Sequence, residues 1–166
     1  KQLFDEVSAV YHADSPEAAA TAKVIHRCLA KGVKREEAPA LIASPLLAEG
    51  VPGMPSPAPE ALAEVPEGEV SADAARAESA FEALFWRPRT PKPEDSGFMT
   101  VEVVVGHGNV IRYLLCRALQ LPAAGWSRLA ANHCAITWLD LGCDGAVVLR
   151  EFGGIGHLPP DLLTYS

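Results

Sequence analysis

The sequence has no long hydrophobic run. No stretch of about 18 apolar residues occurs in its 166 residues, so it holds no membrane-spanning helix. It has no basic cluster either. Lys and Arg number 14 against 21 Asp and Glu, a net charge of −7, which argues against nucleic acid or an anionic membrane as the main partner. The same deficit removes long-range attraction for a phosphorylated ligand, so any anion site must be built locally. Cysteine is scarce. The four, Cys28, Cys116, Cys134 and Cys143, form no C-x-x-C pair and sit at no zinc-ligand spacing with the histidines, so no metal and no other cofactor is expected. Cys28 and Cys116 fall on apolar helix faces and read as buried thiols, and this usage fits a reducing compartment better than secretion. There is no secretory signal peptide, and the chain starts at Lys1 rather than Met, so a fragment or processed product is expected. What is present is an ordinary globular composition, 49% apolar, enough for one domain over residues 1–166 with a real core.

The most informative stretch runs from Thr100 to Leu119. Val101 to Val105 is rich in β-branched residues and apolar on both faces, as in a central buried strand. The run breaks at Gly106-His107-Gly108-Asn109. Asn109 is a good N-cap, and Val110, Ile111, Leu114, Leu115 and Leu119 recur at helical spacing. A strand, a tight glycine turn and a helix direct free N–H groups and the positive end of a helix dipole at whatever lies above the turn. His107 stands where it would meet a phosphate or carboxylate, with glycines on both sides for close approach. The same pattern also describes a plain strand-to-helix turn with a surface histidine.

Taken in order, Val7 to His12 alternates weakly and predicts a short strand. Asp14 or Ser15 caps a helix that opens with Pro16 and Glu17, carries Ala18, Ala22, Ile25, Cys28 and Leu29 inward, and stops at Gly32. Two strand–turn–helix units make the architecture α/β. Residues 50–70 are crowded with Pro and Gly and read as a loop, of a length that is often functional. A helix is expected from about Val70 to Phe85, capped by Ser71, with Asp73 in its first turn and Ala74, Ala77, Phe81 and Leu84 facing inward. Pro88, Pro91 and Pro93 stop it. A short helix with Trp126 and Leu129 comes after the central unit. A hairpin from Cys134 to Phe152 turns at Gly142 to Gly145. The tail, residues 153–166, carries Ile155, Leu158, Leu162 and Leu163 for packing on the domain or on a second subunit.

Gly106-His107-Gly108-Asn109-Val110-Ile111-Arg112 resembles the second histidine motif of the histidine phosphatase superfamily, the phosphoglycerate mutase-like proteins. Gly125-Trp126-Ser127-Arg128-Leu129, Ala135-Ile136-Thr137 and Leu158-Pro159-Pro160-Asp161 extend the likeness toward a mitochondrial serine/threonine phosphatase branch. The resemblance implies a three-layer α/β sandwich with a mostly parallel sheet, a mitochondrial location and phosphoprotein substrates. It implies a nucleophilic histidine in an Arg-His-Gly turn, a second histidine and arginines around the phosphoryl oxygens, and a carboxylic acid that protonates the leaving oxygen. His107 matches the second histidine. Glu49, in Leu46-Leu47-Ala48-Glu49-Gly50, matches the acid, or is a solvated loop glutamate. Gly108, Asn109 and Arg112 match the phosphate-binding pattern, with Asn109 expected as a cap and Arg112 as a salt-bridge brace of the loop.

Two departures weigh against catalysis. No Arg-His-Gly occurs in the chain, so the domain is expected to be incomplete at its N-terminus, without the strand that bears the nucleophile. In Ala13-Asp14-Ser15-Pro16-Glu17-Ala18, Glu17 stands where the family places a phosphate-clamping arginine, unless the match is slipped and another arginine substitutes. The expected function is therefore a catalytically degenerate phosphatase-fold protein kept as a structural or assembly subunit of a homo- or hetero-oligomer. The alternative is an active serine/threonine phosphatase whose nucleophile comes from an upstream segment or a partner chain.

Overall fold

The computed structural model describes residues 7–85, 100–142 and 144–165. Internal contacts group the chain into two compact units, each discontinuous in sequence.

The first unit, Lys1–Glu49 with Lys92–His107, is a parallel sheet with one helix. Strand β1 (Val7–His12) leads through helix α1 (Pro16–Leu29) to strand β2 (Ala40–Ala43). Strand β3 (Val101–Val105) joins the other side of β1, giving the order β2-β1-β3. The register sets Val10 opposite Leu41 and Val103, and Val10 is fully buried. Helix α1 starts as its sequence dictates: the Ser15 hydroxyl accepts the Ala18 N–H at 3.3 Å, and Pro16 fills the first turn, where its missing N–H costs nothing. Ala18 and Ala22 are buried, small enough for close approach to the sheet. Cys28 departs from expectation. It is exposed, because the apolar stripe of α1 narrows to those two alanines. The valines of β3 are half-buried, and among the described residues its strand partner is β1 alone.

The second unit, Gly50–Pro91 with Gly108–Ser166, is built on helices α2 (Glu67–Phe85) and α3 (Gly108–Ala118). Its core gathers Val51, Val70, Ala77, Tyr113, Cys116 and Trp126, with Leu62, Val65, Ala123 and Leu129 packed against it. Trp126 lies in the 3-10 turn Ala123–Arg128, where its indole N–H donates to the Gly53 carbonyl at 2.8 Å. Glu78 of α2 accepts from the Tyr113 hydroxyl at 2.9 Å and from Arg117 Nε at 2.8 Å, both on α3. The Arg117 guanidinium also lies over the Phe81 ring, 4.9 Å from its centroid. Strands β4 (Ile136–Leu141) and β5 (Val147–Gly154) form the expected antiparallel hairpin.

Helix α2 corrects the sequence reading. It begins at Glu67, because the Pro66 carbonyl accepts the N–H groups of Glu69 and Val70, so Ser71 lies inside the helix and caps nothing. Its buried face is Val70, Asp73, Ala77 and Ala80, rather than the face through Ala74, Phe81 and Leu84. Residues 50–70 are not a bare loop: Val51, Pro52 and Pro55 are buried, and Glu60–Leu62 forms a 3-10 turn. No helix among the described residues is long and apolar enough to cross a membrane.

Candidate active site

In the first unit, β1 and β3 run parallel and end together. His12 pairs in register with Val105, and the Ala13 N–H donates to the Val105 carbonyl at 2.9 Å. The turns carrying Ala13 to Glu17 and Gly106 to His107 therefore leave the same sheet margin. Because β2 lies on one side of β1 and β3 on the other, this is the point where an open α/β sheet places its ligands, beyond the carboxyl ends of the strands.

His107 and Glu49 meet there. Nδ1 of His107 lies 3.7 Å from a Glu49 carboxylate oxygen, too long for a hydrogen bond and suited to an ion pair when the ring is protonated. The imidazole is largely buried, with 18% of its side chain exposed, whereas the Glu49 side chain is 73% exposed. Nε2 of His107 is buried and has no hydrogen-bond partner among the described residues. His12, given no role by the sequence, is buried at the end of β1 with its Nδ1 2.7 Å from the Ala13 carbonyl oxygen. Glu17 occupies the first turn of α1, exposed.

Gly108, Asn109 and Arg112 belong to the second unit. Helix α3 starts at Gly108, so Asn109 lies in the first turn instead of capping it. Its side-chain amide donates to the Gly50 carbonyl at 3.2 Å, and its oxygen accepts from Arg112 Nη2 at 2.7 Å. Arg112 does brace a loop, but through carbonyls. Nε donates to Gly108 O and Nη1 to Leu129 O, both at 3.1 Å, while the guanidinium lies over the Trp126 ring. Burial pushes its pKa down. Asp73, which the sequence reading placed in the first turn of its helix, is buried and accepts the Val51 N–H at 2.8 Å. Its signal was available: it follows Val70 by three residues and precedes Ala77 by four, on the inward face. No group of three or more potential metal ligands occurs among the described residues.

An exposed carboxyl beside a buried imidazole, at the carboxyl ends of parallel strands, suits proton transfer next to a bound anion. Residues 58–152 match the family described as histidine phosphatase superfamily (branch 1). The chain belongs to the histidine phosphatase superfamily. Among curated members, the Caenorhabditis elegans protein named serine/threonine-protein phosphatase Pgam5, mitochondrial, is 40% identical over 123 residues, covering 74% of this chain and 42% of that protein. The Mus musculus protein of the same name is 37% identical over 162 residues, covering 95% and 50%. The chain thus spans half or less of the length of these relatives. Among solved superfamily structures, the phosphoglycerate mutase of Plasmodium falciparum is 35% identical with a TM-score of 0.58, covering 97% of this chain and 79% of that one. The α/β fold with its parallel sheet, expected from the resemblance, is the fold of the superfamily.

Proposed function

We propose that this chain supplies the acid–base part of a mitochondrial serine/threonine phosphoprotein phosphatase that works through a phosphohistidine. The observation that carries the reading is the convergence of Glu49 and His107 at one sheet margin. The curated relatives, named as mitochondrial serine/threonine phosphatases, support it. The nucleophilic histidine comes from a segment outside these residues or from a partner chain. It attacks phosphorus, and as the bond from phosphorus to the seryl or threonyl oxygen breaks, Glu49 gives that oxygen its proton. Water then attacks the phosphohistidine, Glu49 takes a proton from it, and phosphate leaves the histidine. His107 is assigned to the phosphoryl oxygens. Arg112, with a hydrogen bond already made by each of its three nitrogens, is assigned to holding Asn109.

A second reading, the catalytically degenerate assembly subunit in an oligomer, is favoured by Glu17. Its carboxylate stands in the first turn of α1, one residue before the buried Ala18. At ~4 Å in moderately screened surroundings, a carboxylate in place of an arginine would change attraction for a phosphate into repulsion, a difference of several kcal/mol.

Turnover of a phosphopeptide and an aryl phosphate by protein purified from its source decides between them. The active reading expects turnover that falls at least about a hundredfold on His107→Ala. Absence of turnover in both preparations overturns it in favour of the assembly subunit.

A further inference from the structure

The segments that form the carboxyl margin of the parallel sheet, residues 7–22, 40–49 and 100–107, contain no Lys and no Arg. They do bring carboxylates, with Asp14 and Glu17 at the start of α1 and Glu49 after β2. A phosphate dianion held among these groups needs a positive charge, and of the side chains on these segments only an imidazole can become one. Two imidazoles stand at the margin: His12 at the end of β1, and His107 two residues past the end of β3.

Strand β1 is the central one of the three, so its end is flanked by β2 and β3. Strand spacing puts those two roughly 10 Å apart. The chain leaving β2 crosses this gap. The Ser44 N–H donates to the His12 carbonyl at 2.8 Å, the Leu47 carbonyl oxygen lies 3.9 Å from where a Cβ on Gly106 would stand, and Glu49 comes within 3.7 Å of His107. His12 lies at the middle of that crossing and is only 8% exposed. Its Nδ1 is 2.7 Å from the Ala13 carbonyl oxygen. A carbonyl only accepts, so Nδ1 carries a hydrogen in either protonation state, and the ring leans forward past the end of the strand. Nε2 has no hydrogen-bond partner among the described residues. Unlike Nε2 of His107, it is not sealed from solvent.

We propose that His12 is a phosphate-binding residue of this margin, which takes up a proton at Nε2 as the anion arrives and donates that N–H to a phosphoryl oxygen. The proposal rests on the reading of the margin as a phosphate site and names the group that supplies its charge. Because Nδ1–H is held by the Ala13 carbonyl, the proton taken from solvent goes to Nε2. A dianion close by favours the imidazolium over the neutral ring. Of the charged groups at this end of the surrounding elements, the carboxylates of Asp14, Glu17 and Glu49 act in the same direction, and a protonated His107 acts against it.

The test adds inorganic phosphate to the purified protein at pH 7.5. Binding is followed by the 15N signals of the histidine rings and by calorimetry in two buffers of different ionisation enthalpy. In the phosphate-saturated protein both nitrogens of His12 should be protonated, and binding should take up protons. His12→Asn keeps an amide that can donate to the Ala13 carbonyl and has nothing in place of Nε2. It should bind phosphate at least about tenfold more weakly and take up fewer protons. An unprotonated Nε2 in the saturated protein overturns the proposal. So does failure to bind phosphate, or unchanged affinity in folded His12→Asn. The ring signals of the native protein decide the matter if the variant does not fold. Phosphate binding through His12 without turnover of a phosphopeptide keeps this proposal and removes the active reading. Turnover with Nε2 unprotonated in the phosphate complex does the reverse.

Discussion

Glu78→Gln should destabilise the second unit by about 2 kcal/mol and do so only while the carboxylate is ionised. In the native chain Glu78 accepts three hydrogen bonds, from the Tyr113 hydroxyl and from Arg117 Nε and Nη2. If fully buried, three bonds to the ionised carboxylate would amount to roughly 5–9 kcal/mol. About a third of each partner is exposed, 36% for Arg117 and 34% for Glu78. Solvent screening pulls the value toward that of a surface pair, hence about 2 kcal/mol. For a chain of this size that lowers Tm by roughly 4–8 °C. The sign with pH follows from the shift: the hydrogen bond from Arg117 holds the Glu78 carboxyl below its ordinary 4.5. Its contribution is complete above pH 4.5 and is lost as the pH falls through the lowered value. Urea unfolding of both proteins at pH 7 and at steps down to pH 3 measures the gap, and adding Tyr113→Phe completes a double-mutant cycle. A gap below about 0.5 kcal/mol at pH 7, or one that persists unchanged to the lowest pH, would refute the reasoning.

Two other outcomes follow from the same core. Trp126→Phe leaves the Gly53 carbonyl without its donor and opens space in a side chain only 3% exposed, so the urea midpoint should correspond to a loss of about 2–3 kcal/mol. Iodoacetamide at pH 8 should label exposed Cys28 and Cys134 in the folded protein and reach Cys116 only on unfolding, since burial pushes that thiol up; mass spectrometry of the alkylated peptides reads the difference.

The elements legible in the sequence are those with local signals. The Ser15-Pro16 start of α1, the valine run of β3 and the Gly142–Gly145 turn each state their structure within a few residues. Strand β2 was not legible. Ala40–Ala43 is four residues long and exposed throughout, and what makes it a strand is its register with Ala9 to His12. His107 could be located from its turn, but Glu49 was singled out only through resemblance, because nothing in its local sequence sets it apart from a solvated loop glutamate. Asn109 and Asp73 were misread for a common reason. Each has a respectable local use, as a cap or in a helix's first turn, and each spends its side chain instead on a peptide far away in sequence. Arg112 likewise found carbonyls where a carboxylate was expected.

The sheet of the first unit also dictates an order of events during synthesis. Strands β1 and β2 leave the ribosome close together and can pair at once. The β1–β3 ladder, where Ser8 reaches Val101 across 93 positions, cannot close until residues 50–91 have been made. Through that interval the nascent chain carries β1 with one side unpaired, a template for any passing strand. Closure of the longer loop costs only about 1 kcal/mol more than that of the short one, so the penalty is in time rather than stability. Strand β1 is thus secured on both sides only once β3 arrives, and the dependence of the first unit on chaperones should be set by how quickly that happens.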